Sequence, residues 1–253
     1  MTTMKGTTRP RLRLGVLIGL AGFIGAASVT LTVLPRFAAQ AALPAPMWLI
    51  SVASLFQSAV LLALAAWSGV ALAPTVGLRA PAFEAAALRL PFLPALKAQV
   101  LPGLIAGVLG GLLLFTSFRF LPAALSGPHE QFNPPLVARV LYGGITEEVL
   151  LRWGFMTALA WLARRLLQRH PGALRPDLAW LAIAASALVF GVGHVPVAVH
   201  LAGSIDPGMV GFVVGVNTAF GCLFGFLFRR WGLESAMIAH AVTHVVNELA
   251  RAF

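Results

Sequence analysis

Charge is what this chain of 253 residues has least of. Charged residues make up 10% of it and only eight are acidic, against about 25% charged in an ordinary soluble domain. With 59% hydrophobic residues and a mean hydropathy of +0.88, a soluble fold would lack polar surface. A bundle of about six to eight membrane spans, at roughly 20 apolar residues each, fits the length instead. Cysteine is almost absent too. Cys222 alone excludes an intramolecular disulfide and a thiolate metal cluster, and its apolar neighbours read it as a packing residue. No Ser/Gly linker, acidic tail or internal repeat breaks the chain. One all-α, membrane-embedded domain over 1–253 is therefore expected.

The net charge of +10 does not imply nucleic acid, because the basic residues sit in short groups between apolar runs rather than along one face. Seven spans are legible: Leu14–Leu34, Met47–Leu72, Val100–Phe118, Pro135–Leu166, Leu178–Ala198, Met209–Phe228 and Gly232–Ala250. Threading them puts Lys5, Arg9, Arg11, Arg13, Arg79, Arg89, Lys97, Arg164, Arg165, Arg169, Arg175, Arg229 and Arg230 on one side. Only Arg36, Arg119 and Arg251 fall on the other, with Arg139 and Arg152 inside the fourth span. By the positive-inside rule the N-terminus faces the cytoplasm and the C-terminus faces out. A bacterial inner membrane is the expected location. The first apolar run, about 21 residues, exceeds the roughly 7–15 of a signal-peptide core. It reads as an uncleaved anchor, with cleavage near Ala39–Ala41 as the alternative. Residues 73–99 are less apolar and read either as an interfacial helix or as a loop.

Ionisable residues at membrane depth are costly and point to function. Glu147 and Glu148 stand side by side in the fourth span, and Glu148 is four residues before Arg152, the spacing of an in-helix ion pair. Glu147 has no such cation and is free for general-base work. His194 lies late in the fifth span, and His240 and His244 lie one turn apart in the last. Three imidazoles and a spare carboxylate converging in a bundle are suited to activating water, with or without a metal. Each histidine taken alone reads more readily as a helix–helix hydrogen-bonding residue. His129, His170 and His200 read as loop or span-end residues. Gly143, Gly144, Gly191 and Gly193 flank the polar positions, either for close helix packing or to leave room for substrate.

The motifs Glu147-Glu148-Val149-Leu150-Leu151-Arg152, Phe190-Gly191-Val192-Gly193-His194 and His240-Ala241-Val242-Thr243-His244 resemble those of the CAAX-protease and bacteriocin-processing (CPBP, or Abi) intramembrane endopeptidases. Their order and spacing extend over about 100 residues. The resemblance covers roughly residues 100–250, preceded by two additional spans. It implies that Glu147 and His194 activate the attacking water, while His240 and the residue four positions on stabilise the oxyanion. That residue is Asn or Asp in the family and His244 here, with Asn247 three positions further on. Glu148 and Arg152 would support the helix and its charge balance.

The resemblance admits either a metal-free glutamate mechanism, which is favoured, or a zinc site drawn from Glu147, His194, His240 and His244. A membrane-bound peptide or protein, prenylated or a bacteriocin or sorting-tag precursor, is the expected substrate, with the lipid bilayer as the other partner. The alternatives are a proton-coupled transporter using the same residues as a relay, or a catalytically silent scaffold. One spacing is awkward. At about 1.5 Å per residue, Glu147 and His244 fall near mid-membrane while His194 falls nearer the outer face, unless Pro196 breaks the fifth span.

Overall fold

The computed structural model describes residues 8–40, 45–126, 134–168 and 170–252. Lys5, His129 and Arg169, and Ala41 at the alternative cleavage point, lie outside them. The described residues form helices and no strands. In chain order these are α1 (Thr8–Thr32), α2 (Leu34–Gln40), α3 (Met47–Val76), α4 (Pro81–Ala87) and α5 (Phe92–Ser117). A sixth helix, α6, runs through Leu136–Ala138, the π-helical Arg139–Met156, and Thr157–Leu167. Then come α7 (Pro176–Gly193), α8 (Val195–Ala202), α9 (Pro207–Trp231) and α10 (Leu233–Arg251). Five segments are long and apolar enough to cross a membrane: α1, α3, α5 with its following turn, α7 with α8, and α9. The helices at the remaining two expected spans, α6 and α10, carry Glu147, Glu148, Arg152, His240 and His244.

Glycines set how closely these helices approach. The most extensive contact is between α5 and α10. There, Gly103, Gly107 and Gly111 recur every fourth residue and form a groove. A Cβ on each would meet the side chains of Ile238, Val242 and Val246 respectively, at 2.5–2.9 Å. Such small-residue stripes let backbones pack where lipid offers no hydrophobic driving force. Helices α1 and α3 dock on α6 in the same way. Gly25 faces the Leu141 carbonyl and the Thr146 hydroxyl, and Gly154 faces Ala65. Thr146 Oγ1 donates to the Gly22 carbonyl at 2.6 Å, and Trp153 Nε1 donates to the Ala66 carbonyl at 3.2 Å. One buried apolar cluster joins Ile18, Leu62, Trp153, Ile183, Phe224 and Ala239, drawn from six helices.

Three differences from the expectations have local causes. Residues 73–99 are not one element: they run from the end of α3 through turns to the start of α5. They include the short α4, docked on the start of α10, where Glu234 Oε1 accepts from the backbone N–H of Ala82 (2.7 Å) and Phe83 (2.9 Å). Arg79 pairs with Glu84, and that carboxylate holds the guanidinium above its usual pKa. Pro74 and Pro102 lie inside α3 and α5, which run longer than the apolar runs suggest. The fifth span both lengthens and breaks: it continues to Ala202, with a turn at His194 between α7 and α8. Pro196 offers no N–H to continue the ladder, so the break falls just before it.

Candidate active site

The break at His194 is what equips that residue for chemistry. At the end of α7 its backbone N–H turns back to the Gly191 carbonyl at 3.2 Å. The Phe190 carbonyl instead accepts from the His194 side chain, with Nδ1 at 2.8 Å. A carbonyl only accepts, so the proton of a neutral His194 sits on Nδ1 and leaves Nε2 as an acceptor. The Phe190 ring also meets the His194 ring edge-on, centroids 4.7 Å apart. The motif phenylalanine therefore orients its histidine through both its carbonyl and its ring.

Glu148 is fully buried, as is Arg152. Its Oε2 lies 3.3 Å from Arg152 Nε, and its Oε1 accepts from His240 Nδ1 at 2.9 Å. The ion pair is not directed as a hydrogen bond, since Glu148 Oε2 and Arg152 Nε and Nη1 have no such partner. Aromatic rings complete the surroundings of the guanidinium: Arg152 Cζ sits 4.7 Å from the Phe190 centroid and 5.6 Å from that of Phe224. Phe224 in turn stacks on His240 at 4.4 Å and 20°. Glu147, partly exposed, brings Oε2 to 3.9 Å from His240 Nε2. The two adjacent carboxylates thus address the two nitrogens of one imidazole. Both carboxylates lie on the π-helical stretch of α6, which is wound more widely than the α-helix assumed from sequence.

His240 and His244 are neighbours on α10, with rings 5.1 Å apart. Their Nε2 atoms converge on Gly143, where a Cβ would lie 3.1 Å from His240 Nε2 and 2.8 Å from His244 Nε2. The four flanking glycines therefore have different purposes. Gly143 leaves room for the imidazoles, Gly144 packs on Ala241, and Gly191 packs on Val214 and Thr218. Gly193 faces open space.

Glu147, His194, His240, His244 and Asn247 line one cavity of about 590 Å³. Asn247 is buried, and its Oδ1 has no hydrogen-bond partner. The other walls are largely apolar and come from several helices, including Val29 of α1 and Phe37 of α2, with Val33 between them. His200 is not in this group of side chains; it packs on Phe37 with centroids 4.2 Å apart. Arg139 and Glu248 pair at 2.6 Å beside the cavity. Sequence reasoning missed Phe224, Gly143's particular purpose and the Arg139–Glu248 pair. An unassigned arginine in a polar span was the available signal for the last. Among the described residues no three His, Cys, Asp or Glu side chains are grouped so as to hold a metal. Glu148 holds Nδ1 of His240 and a carbonyl holds Nδ1 of His194, and both bonds leave Nε2 available.

Residues 129–246 match a protein-family model described as type II CAAX prenyl endopeptidase Rce1-like. The chain carries an Rce1-like segment. It contains all three motifs and runs from just before α6 into α10, leaving α1 to α5 outside, a shorter stretch than residues 100–250. No curated protein and no solved structure matches the chain. The Rce1-like segment and the apolar helices support an integral membrane protein with a CAAX-type intramembrane endopeptidase kind of function.

Within the Rce1-like segment the two glycines of contrasting surroundings give a test. Gly143→Ala drives a methyl against both Nε2 atoms, and displacements on the scale of 1 Å cost catalysis about 10²-fold. Gly193→Ala meets nothing within 4 Å and is expected to keep its cleavage rate. Assaying both purified variants on one peptide substrate, with thermal unfolding as a fold control, separates a site effect from a packing effect.

Proposed function

We propose that the protein hydrolyses a peptide bond of a membrane-associated substrate, using water activated by Glu147 and His194. The observation that carries this reading is the convergence of Glu147, His194, His240 and His244 on one cavity within an otherwise apolar bundle. Glu147 takes the proton as water attacks the scissile carbonyl, and later returns it to the leaving amine. His194, its tautomer set by Phe190, accepts a hydrogen bond from that water through Nε2.

The oxyanion falls to His240 and His244. His240 already donates from Nδ1 to Glu148, so it gives an N–H at Nε2 only once that nitrogen takes up a proton, and Glu147, 3.9 Å away, can pass on the one it draws from water. His244 adds a donor from the position where the family has Asn or Asp. Removing one such donor costs about 3–4 kcal/mol in known acyl-transfer sites. No step is routed through a metal.

Glu147→Gln is expected to abolish cleavage while leaving thermal stability near wild type, because Glu147 is not part of the buried ion pair. Glu148→Gln leaves Arg152 buried without its counter-charge, which costs about 3–5 kcal/mol, and it lowers both stability and turnover. Near-normal cleavage by purified Glu147→Gln would overturn the reading.

His244→Asn restores the family's amide donor and should retain most activity, and strong chelators should leave the wild-type rate unchanged. Stoichiometric zinc, with activity lost on chelation and recovered on adding metal back, would instead make His244 a ligand. Its Asn variant would then be nearly inactive.

A further inference from the structure

The cavity follows α10. His240, Thr243, His244, Asn247 and Arg251 all line it, and the proposed chemistry uses only the first turn of that row. Buried polar side chains are hydrogen-bonded as a rule. Three neutral ones on the cavity wall find a carbonyl of their own helix: Thr243 Oγ1 donates to Ala239 at 2.8 Å, Ser117 Oγ to Leu114 at 2.7 Å and Asn217 Nδ2 to Val213 at 2.8 Å. Asn247 differs. It is 2% exposed, it lines the cavity, and its Oδ1 has no hydrogen-bond partner among the described residues. An apolar side chain of the same shape would carry no such penalty, so an amide at this position is placed for a group that enters the cavity.

We infer that Asn247 holds the main chain of the bound peptide: its Oδ1 accepts from a substrate N–H and its Nδ2 donates to a substrate carbonyl, as a neighbouring strand would. A carboxamide suits this because it carries the same acceptor and donors as a peptide unit, whichever residue that unit belongs to. The torsion that turns the amide is soft for Asn, so either end can face the chain. The place on α10 indicates which unit is held. The oxyanion lies against His240 and His244, three to seven residues before Asn247, a rise of about 4.5–10.5 Å at 1.5 Å per residue. An extended chain advances about 3.3 Å per residue, so the unit held is about one to three residues from the cleaved bond. Asn247 thus recognises backbone, and side-chain preference falls to the apolar walls. The inference rests on the endopeptidase reading and adds to it a residue that binds and aligns the substrate.

The test uses the full chain in lipid nanodiscs and a fluorogenic peptide that the wild type cleaves, with an ester replacing one backbone amide at a time on either side of the cleaved bond. An ester removes the N–H and weakens the carbonyl as an acceptor without adding bulk. One ester position is expected to lower kcat/KM about tenfold, the size of one lost hydrogen bond to a buried partner, mainly through KM. Asn247→Leu, of similar shape, should lower kcat/KM for the all-amide peptide about tenfold. It should also keep or raise the unfolding temperature, because it removes an unpartnered buried polar group. On Asn247→Leu that same ester should cost nothing further, so the combined loss stays near tenfold where independent effects would give about a hundredfold. Asn247→Ala repeats the measurement if the Leu variant fails to fold. Losses that multiply at every ester position, or Asn247 variants that keep the wild-type kcat/KM, overturn the inference. Near-normal cleavage by Glu147→Gln would strike the catalytic reading alone, because the coupling of Asn247 to one ester position is read from differences between peptides.

Discussion

A carboxylate with no exposed surface, Glu148, is the constraint from which the rest of the site follows. Burying a charge in an apolar bundle is tolerable only with compensation, and Glu148 receives it from Arg152 along its own helix and from His240 across to α10. Arg152 needs compensation in its turn and finds it in Phe190 on α7 and Phe224 on α9. A single buried ion pair therefore ties four helices together at the level of the chemistry. Glu147, one residue away, remains on the cavity wall with its carboxylate available. Adjacent glutamates acquire different work because one is consumed by structure.

Positioning of this kind depends on backbones that can approach closely. The Gly103–Gly107–Gly111 groove seats α10 against α5, and Gly25 and Gly154 seat α1 and α3 against α6. Although α1 and α3 lie outside the Rce1-like segment, they anchor the helix that carries both glutamates. The Thr146 and Trp153 hydrogen bonds to their carbonyls flank positions 147–152 on either side. The wall formed by α1 and α2 extends the cavity beyond the motif residues, so the added helices shape the chamber as well as supporting it.

Much of this was legible beforehand because a membrane limits the alternatives. Apolar runs of spanning length gave the helices, and Glu147, Glu148, Arg152, His194, His240 and His244 stood out as polar residues with no other reason to be buried. What could not be read was the winding of α6. A π-helix leaves no mark in residue spacing, and it is the setting in which both carboxylates meet His240. The docking of α4 was equally hidden, because it depends on Glu234, more than 140 residues away in the chain. The break at His194 was half visible, in Pro196. The three-glycine groove went unread, because its partner ridge on α10 becomes evident only once the two helices are paired.

The account turns on Glu148 holding His240 by Nδ1 and leaving Nε2 for the reaction, and the protonation state of that ring tests this most directly. Solid-state NMR of protein carrying ¹⁵N-labelled histidine, in lipid and assigned through a His240→Gln control, reports each ring nitrogen separately. The account predicts a protonated Nδ1 on His240 that is strongly hydrogen-bonded in wild type and shifts on Glu148→Gln. A His240 ring with an unprotonated Nδ1, or one whose resonance ignores the Glu148 substitution, would contradict it.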